Sequence, residues 1–417
     1  MTRVLFKNVR ILDCTGRAPF DGQLLVEEDR IREIWPKDQA VSVADAEVFD
    51  GIGATLMPGL IEPHSHLTFT DCTRSVDMGF IPPEEHMLIT VRNARKMLEM
   101  GFTGCFSAAS AKPRLDVVLR NAIDAGEFPG PRTLAASPEM TVTGGLGDVR
   151  LSHLYRENFA VVLDGPVEFR RYARLMCREG VDTLKMNVSG DAGTPASPSR
   201  TTVMSEDEIA EVCEVARAHG KRLAAHTRSA ESVKLALRNG VDVLYHATFI
   251  DTEAQDLLEE HRDRVFVAPT LGNLHATLHK APSWGIEFSP AHERDLKDEI
   301  DAGIENMKAL HRRGVRVMPG GDYGFAWAPI GTNALDIELF VRLLGFTPME
   351  AIMAATKSGA QIMGMSKQIG LVKTGFLADL IIVDGDPTQD IAILHDEQKL
   401  LAVMKGGTFY KLTNRRS

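Results

Sequence analysis

The middle of the chain alternates short apolar stretches with longer segments whose apolar residues recur every three or four positions. The short stretches predict strands, and the longer segments, such as 206–219 and 230–239, predict amphipathic helices. Regular alternation of strand and helix is typical of a parallel sheet. The predicted strands are 62–67, 102–108, 132–136, 183–188, 222–226, 242–246, 265–269 and 315–318.

Eight strands over roughly 300 residues predict an α/β fold of the (β/α)8 TIM-like barrel type, which typically takes about 250 residues and accepts insertions. A doubly wound open sheet is the alternative. The two ends of the chain, 1–57 and 364–417, contain only short strand-like stretches broken by Gly, Asp and Pro. Because neither end can bury a core alone, we expect both to form one small composite β-sandwich beside a barrel of residues 58–363.

Composition narrows the class of protein. The net charge of −10 over 417 residues argues against a nucleic-acid partner, because phosphate binding needs a basic face. No apolar run reaches the length of a membrane span, and the N-terminus lacks the pattern of a signal peptide. The five cysteines are scattered without a CxxC pair, which is typical of reduced thiols. We therefore expect a cytoplasmic protein with a small-molecule partner and no membrane association.

The stretch IEPHSHLTF, residues 61–69, places two histidines on one predicted strand. Residues i and i+2 of a strand point to the same face, so His64 and His66 would project side by side. Two neutral imidazoles can supply two ligands to a divalent metal. The ordinary alternative is a pair of hydrogen-bonded core histidines.

Further residues of ligand type lie at the carboxyl ends of later strands, where barrels carry their chemistry. Lys185 lies inside an apolar stretch, and His226 and His246 each end one. Asp322 follows the eighth predicted strand. Each residue alone has an ordinary explanation, but together they indicate a metal site. Ligands from the first and last strands can meet only if the sheet closes, which favours the barrel over the open sheet.

The order HxH, Lys, His, His, Asp resembles the amidohydrolase superfamily, as do the segments MPGLIEPHSH, GVDVLYHATFID and FTPMEAIMAATKSGAQIMGMSKQIGLVKTGFLADLIIVDGDP. The resemblance covers nearly the whole chain and implies a metal-dependent hydrolase with a barrel and a composite sandwich. It implies a general base at Asp322 and a carboxylated amine at Lys185. The implied metal ligands are His64, His66, Lys185, His226, His246 and Asp322.

The implied modification of Lys185 has a physical reason. A lysine ammonium, with a reference pKa of about 10.4, repels a dication, whereas a carbamate is an anion that can bridge two metals. We therefore expect two divalent ions in a binuclear centre, with Zn²⁺ preferred and Mn²⁺ or Co²⁺ as alternatives. A metal-activated hydroxide would attack a carbonyl carbon while Asp322 passes a proton to the leaving nitrogen. Relatives are commonly homo-oligomers, and by analogy we expect the same here.

The resemblance also indicates a reaction class. Deaminases resembling cytosine deaminase carry Glu where this chain has Ser229, so a single-metal deaminase is the less favoured hypothesis. The segments LKMNVSGD and MTVTGGLGD resemble a branch with prolidase-like Xaa-Arg/Lys dipeptidases and xenobiotic amide hydrolases. We expect cleavage of an amide-type C–N bond in an N-acyl amino acid or peptide-like amide. The alternative is an aryl amide, urea or carbamate xenobiotic, as in phenylurea- and molinate-degrading enzymes.

Departures from that branch predict substrate contacts. Arg228 stands where the branch usually has Tyr, and it could bind a substrate carboxylate through two hydrogen bonds. Tyr245 replaces Glu. Asn187 replaces an apolar residue and could orient the carbamate, ligate a metal or contact substrate. The expected substrate-binding residues are Arg228, Asn187, Tyr245 and Tyr323. Loops near the mouth of the barrel are expected to carry Phe325, Trp327, His275 and His279.

Overall fold

The computed structural model describes residues 2–413 with the exception of 193 and 195. Its strands are β1 (Arg3–Ile11), β2 (Phe20–Glu27), β3 (Arg30–Pro36), β4 (Glu47–Asp50), β5 (Thr55–Pro58), β6 (Leu60–Ser65), β7 (Phe102–Ser107), β8 (Arg132–Leu134), β9 (Ala136–Thr141), β10 (Ala160–Val162), β11 (Thr183–Asn187), β12 (Arg222–Ser229), β13 (Val243–Phe249), β14 (Phe266–Ala268), β15 (Leu380–Val383), β16 (Leu400–Lys405) and β17 (Thr408–Leu412).

The helices alternate with the central strands. They are α1 (Pro83–Glu99), α2 (Leu115–Asp124), α3 (Pro166–Glu179), α4 (Glu206–Ala218), α5 (Ala230–Arg238), α6 (Thr252–Glu260), α7 (Leu271–Lys280), α8 (Pro290–Arg312), α9 (Leu335–Leu344), α10 (Pro348–Met353) and α11 (Gly359–Ile362). The predicted helices 206–219 and 230–239 are confirmed as α4 and α5. A reciprocal capping box between Ser205 and Glu208 explains where α4 begins.

The central strands are all parallel and form two ladders, β6-β7-β8 and β10-β9-β11-β12-β13-β14. Strands β8 and β9 form one extended stretch interrupted only at Ala135, so this stretch joins the two ladders. The β and α alternation seen in the sequence therefore does give a parallel sheet. Of its ladder strands, β10 was not predicted and β9 only at its first residue, and the others were predicted within a few residues.

The eighth predicted strand, 315–318, is not a strand in the structure. It makes a parallel bridge from Val317 to Val267, and Tyr323 makes another to Ser65 of β6. The intervening Pro319-Gly320-Gly321 explains the interruption, because proline lacks a ladder donor and glycine weakens strands. The ring is thus completed by isolated bridges rather than by a continuous ladder.

Both ends of the chain form one sheet in the order β17-β16-β15-β5-β1-β2-β3, with β4 beside β1. Strand β15 pairs antiparallel with β5, so the last strands complete the sheet that the first strands begin. Ile31 of β3 and Met404 of β16 belong to one hydrophobic cluster although their strands lie far apart in this order. The sheet therefore folds over its own core as a β-sandwich. The domain limits 1–57, 58–363 and 364–417 stay a prediction.

Two further expectations concern membrane-spanning helices and disulfide bonds. Among the described residues, no helix combines the length and the apolar character that crossing a membrane requires. All five cysteines are free thiols, and Cys14, Cys105 and Cys213 are buried.

A buried ion pair connects the sandwich to the barrel. Arg132 of β8 donates through Nε and Nη2 to the two oxygens of Asp379, at 2.7 and 3.0 Å. Asp379 is buried and also accepts from the backbone nitrogen of Gly406. We expect Asp379→Ala to lower the free energy of unfolding by about 3 kcal/mol, because it leaves a largely buried guanidinium unpaired. Urea unfolding followed by tryptophan fluorescence measures this change.

The matched control is an exposed ion pair of similar length. Arg95 and Glu99 lie one turn apart on α1 at 2.8 Å, and both are exposed to solvent. Glu99→Ala should cost only about 0.3–0.5 kcal/mol. Equal effects of the two substitutions would contradict a structural role for the Arg132–Asp379 pair.

Candidate active site

The sequence-predicted ligands converge at the carboxyl end of the barrel. His64 lies on β6, and His66 follows directly after that strand. Their rings are 5.6 Å apart, while the His226 and His246 rings, from β12 and β13, are 4.3 Å apart. The β12–β13 register brings His226 and His246 together, because Thr227, the residue after His226, lies opposite His246. Lys185, on β11, is buried beside them.

Asp322 connects the end of the ring to its beginning. Its backbone nitrogen donates to the carbonyl oxygen of His64 at 3.2 Å. Its carboxylate oxygen Oδ1 lies 3.0 Å from Nε2 of His66 and 3.7 Å from Nε2 of His64. One carboxylate therefore faces both imidazoles of the HxH motif.

Four residues at this site have strained backbone. His246, Ala247, Thr270 and Asp322 have φ values of 75°, 47°, 68° and 57°, a left-handed region that non-glycine residues rarely adopt. A β-branched residue such as Thr270 is especially disfavoured there. Such residues cost about 1–3 kcal/mol each and persist where surrounding structure holds them, often at functional sites. The strain indicates that these side-chain directions are imposed by the fold.

Hydrogen bonds orient three of the four imidazoles. His66 Nδ1 lies 3.1 Å from the carbonyl oxygen of Ala109, and His64 Nδ1 lies 3.0 Å from the hydroxyl of Thr270. His226 Nε2 lies 3.0 Å from the carbonyl oxygen of Gly190. Bonds of this kind fix which ring nitrogen is left for a metal.

The electrostatics keep imidazoles neutral and the carboxylate ionised. Burial lowers the pKa of His226 to about 4 and holds the pKa values of His64 and His246 well below their usual range. Burial alone would raise the pKa of Asp322, but His64, His66 and Lys185 lower it below its ordinary value. Neutral imidazoles and an ionised carboxylate are the forms that bind metals.

These residues fit a divalent metal. Ligand atoms of His64, His246 and Asp322 lie within 4.8 Å of one another, and so do those of Asp191, His226 and His246. Nδ1 of His246 is buried without a hydrogen-bond partner among the described residues. A buried polar atom without a partner is costly, and a bound metal ion would satisfy this one. Mixed imidazole and carboxylate donors suit Zn²⁺ and similar ions.

Three acidic residues at or beside the site were not expected from the sequence. Glu139 lies opposite Lys185 in the β9–β11 register, 3.4 Å from its amine. Asp191 follows the end of β11 and lies 3.4 Å from His226. Glu299 is buried on α8. A charge inside an apolar strand could have flagged Glu139, and a strand-end position Asp191, but nothing in the helical pattern distinguishes Glu299.

Arg228, which the sequence suggested as a ligand for a substrate carboxylate, has protein partners in the structure. Its Nε donates to Asp191 at 2.8 Å, and its Nη1 lies 3.2 Å from both Glu299 and the hydroxyl of Thr248. It is only 3% exposed, although it lines the cavity. Binding a substrate carboxylate through two hydrogen bonds would require one of these partners to leave.

The other expected substrate contacts lie behind the cavity surface. Tyr245 is fully buried, stacks on His64 at 3.8 Å and donates to the carbonyl oxygen of Pro63 at 3.1 Å. Tyr323 is also fully buried, and neither tyrosine lines the cavity. Asn187 is buried, and its amide donates to Glu139. None of the three lines the cavity in this structure, and their role as substrate contacts stays a prediction.

The cavity in front of the ligands has a volume of about 380 Å³, within the size range of small-molecule sites. One wall is aromatic. Phe69 stacks on His66 at 4.1 Å and contacts Phe325 edge-on at 5.7 Å, and Trp327 stacks on Phe325 at 5.5 Å. The opposite wall is polar and includes Arg228.

Two of the four residues expected near the mouth lie elsewhere. Phe325 and Trp327 do line the cavity. His275 and His279 belong to helix α7 rather than to a loop, and the face of α7 toward the cavity carries Asn273 and Thr277 instead. The helical period explains the error, because one helix face cannot present both sets.

Comparison with known proteins defines the class. The model of the amidohydrolase family matches residues 55–409, and the chain belongs to that family. It is a hydrolase acting on carbon–nitrogen bonds. The resemblance inferred from the motifs and the fold class of a TIM barrel with a β-sandwich are both confirmed.

Particular relatives refine this class. Ochratoxinase of Aspergillus niger is 25% identical over 378 residues, covering 85% of this chain and 75% of the relative. The structure of a prolidase complexed with N-methylphosphonate-L-proline has a TM-score of 0.88 and 26% identity, covering 99% of this chain and 100% of that chain. Molinate hydrolase, with a TM-score of 0.81 and 20% identity over 98% and 94%, shares the fold.

The position of Tyr245 gives a test of its role. We expect Tyr245→Phe to lower the free energy of unfolding by about 1–2 kcal/mol, because it removes the donor to the buried Pro63 carbonyl. KM should not change, since the hydroxyl points away from the cavity. Urea unfolding and steady-state kinetics on the same preparation measure both quantities.

Tyr172 provides the control. Its buried hydroxyl has no hydrogen-bond partner among the described residues, so Tyr172→Phe should be neutral or slightly stabilising. A rise in KM for Tyr245→Phe with unchanged stability would instead restore Tyr245 as a substrate contact.

Proposed function

We propose that this chain hydrolyses an amide-type C–N bond in a small molecule, using two divalent metal ions, with Zn²⁺ preferred. The observation that supports this most is the convergence of four imidazoles, one ionised carboxylate and one buried lysine on the floor of a single cavity. The proposed ligands are His64, His66, Lys185, His226, His246 and Asp322. Such ions would polarise a carbonyl group and lower the pKa of a water.

Asp322 is the proposed proton carrier. Its carboxylate reaches the cavity and lies close to both imidazoles of the HxH motif. Their proximity keeps the group ionised, so it can accept a proton from water. It can then donate that proton to the leaving nitrogen, which departs as a neutral amine. The aromatic wall formed by Phe69, Phe325 and Trp327 would keep bulk water away from this exchange.

Lys185 is proposed to carry a carboxylated amine when metal is bound. Without metal, its amine faces Glu139 at 3.4 Å, an attractive pair for an ammonium. Carboxylation makes the lysine end an anion, so the same proximity becomes repulsive unless cations compensate it. We therefore expect the carbamate to form only together with metal binding.

The decisive measurement is metal content. Wild-type protein purified without chelator should hold close to two ions per chain, and Lys185→Ala should hold clearly fewer, because the bridging anion is lost. Carbon-13 NMR after equilibration with labelled bicarbonate should show a carbamate signal in the metal-loaded wild type and none in the metal-free protein.

Lys234→Ala is the matched control. Lys234 is another largely buried lysine, but it pairs with acidic residues on and beside α5, away from the cavity. This variant should keep its metal. One ion per chain in the wild type, unchanged in Lys185→Ala, would contradict the binuclear proposal and favour a single-metal deaminase or hydrolase.

The substrate is proposed to be an N-acyl amino acid or a peptide-like amide. Support comes from the similarity to a prolidase bound to a phosphonate derivative of proline and to ochratoxinase. The aromatic wall specifically favours the alternative of an aryl amide, urea or carbamate, because stacked rings bind flat groups well. Both hypotheses share the same bond cleavage and differ in the group held against the wall.

A substrate panel separates the two. For an N-aryl amide, Trp327→Ala should raise KM about 3- to 10-fold, because one stacking surface worth about 0.5–1.5 kcal/mol is lost. An aliphatic amide should be affected less. Trp284→Ala, which removes a solvent-exposed tryptophan at the end of a 3-10 turn, is the control. If Trp327→Ala changed KM by the same factor for aryl and aliphatic amides, a role of the aromatic wall in binding aryl groups would be excluded.

A further inference from the structure

We infer that Asp191 is an additional ligand of the second metal ion, and that Arg228 and Glu299 hold it in place. This inference rests on the binuclear site proposed above and deepens it. Asp191 was not among the ligands that the sequence indicated. Its carboxylate, His226 and His246 supply ligand atoms that all lie within 4.8 Å of one another.

The distances within this group suit a shared cation better than direct hydrogen bonds between its members. Oδ2 of Asp191 lies 3.4 Å from Nε2 of His226, beyond a good hydrogen bond. His226 Nε2 already has the carbonyl oxygen of Gly190 at 3.0 Å, so the ring nitrogen of His226 left for a metal is Nδ1. Nδ1 of His246, 1% exposed, has no partner among the described residues. A cation between the three would satisfy the atom that is otherwise unpaired.

The partners of Arg228 support the same conclusion. The buried guanidinium of Arg228 faces two carboxyl groups, those of Asp191 and Glu299. Glu299 is buried on α8 and also accepts from the hydroxyl of Ser199, so it stays with the arginine. Asp191, by contrast, lines the cavity and faces the imidazoles.

Arg228 is therefore a positioning residue rather than a substrate contact. Its Nε donates to Oδ2 of Asp191 at 2.8 Å, and its Nη1 approaches Glu299 and Thr248. These three partners fix the plane of the guanidinium group. The guanidinium group in turn fixes the position of the Asp191 carboxylate. Partners of this kind orient metal ligands, and their loss typically costs about 10–100-fold in metal affinity.

The test uses the full chain stripped of metal and titrated with Co²⁺ alone. Visible absorption of bound Co²⁺ and a parallel stoichiometry measurement report binding without any substrate. We expect wild type to bind two ions, and Asp191→Asn to bind the second at least tenfold more weakly, with a changed spectrum. Arg228→Lys should weaken the same ion, because a point charge cannot hold the carboxylate as the planar guanidinium does.

The control is Asp148→Asn, which removes a carboxylate that lines the same cavity but pairs with Arg150. It should leave both binding steps unchanged. Asp191→Glu, which keeps a carboxylate, guards against misfolding and should retain more affinity than Asp191→Asn. Circular dichroism verifies that each variant is folded.

The outcomes separate the two proposals. Wild-type binding of both ions by Asp191→Asn overturns the ligand role of Asp191 and leaves the binuclear proposal intact. A wild type that binds one ion overturns the binuclear proposal, and whether Asp191→Asn weakens that ion then decides the role of Asp191 separately. Equal weakening by Asp148→Asn would attribute the effect to cavity charge and overturn the inference.

Discussion

The contact between Asp322 and strand β6 is the interaction on which the site depends. Through its backbone, Asp322 bonds to His64, and through its carboxylate it reaches both imidazoles of the HxH motif. The ladder is interrupted just before this residue, so no regular strand fixes its side chain. A left-handed backbone conformation does so instead. The barrel closes where the chemistry lies, and the cost of closing it there is local strain.

Burial then determines the chemistry of everything around that contact. The buried imidazoles of His64 and His226 have lowered pKa values, while the Asp322 carboxylate keeps its charge. Lys185 and Arg228 are tolerated only because each faces an acid, Glu139 and Asp191 respectively. The floor of the cavity is therefore a set of matched charges and neutral donors, while the wall formed by Phe69, Phe325 and Trp327 supplies apolar surface.

The sequence predicts the features that depend on the periodicity of apolar residues and on the positions of strand ends. The alternation of strand and helix, and ligand types such as His64 and His226 at strand ends, follow from local pattern. What it could not predict depends on neighbours far away in the chain. Tyr245 looks like a surface contact until its hydroxyl meets Pro63, and Arg228 looks free until α8 brings Glu299 beside it. The predicted strand 315–318 does not form, because a Pro-Gly-Gly sequence follows it.

The sandwich built from both chain ends has a consequence for biosynthesis. Strand β5 lies between β1 and β15, and the Thr55 hydroxyl donates to the Gly385 carbonyl 330 positions later. At about 5–20 residues per second, a ribosome needs on the order of tens of seconds between these two segments. During that interval β5 has an open edge, which other chains could pair with. That edge is covered only when the C-terminal strand β15 pairs with β5.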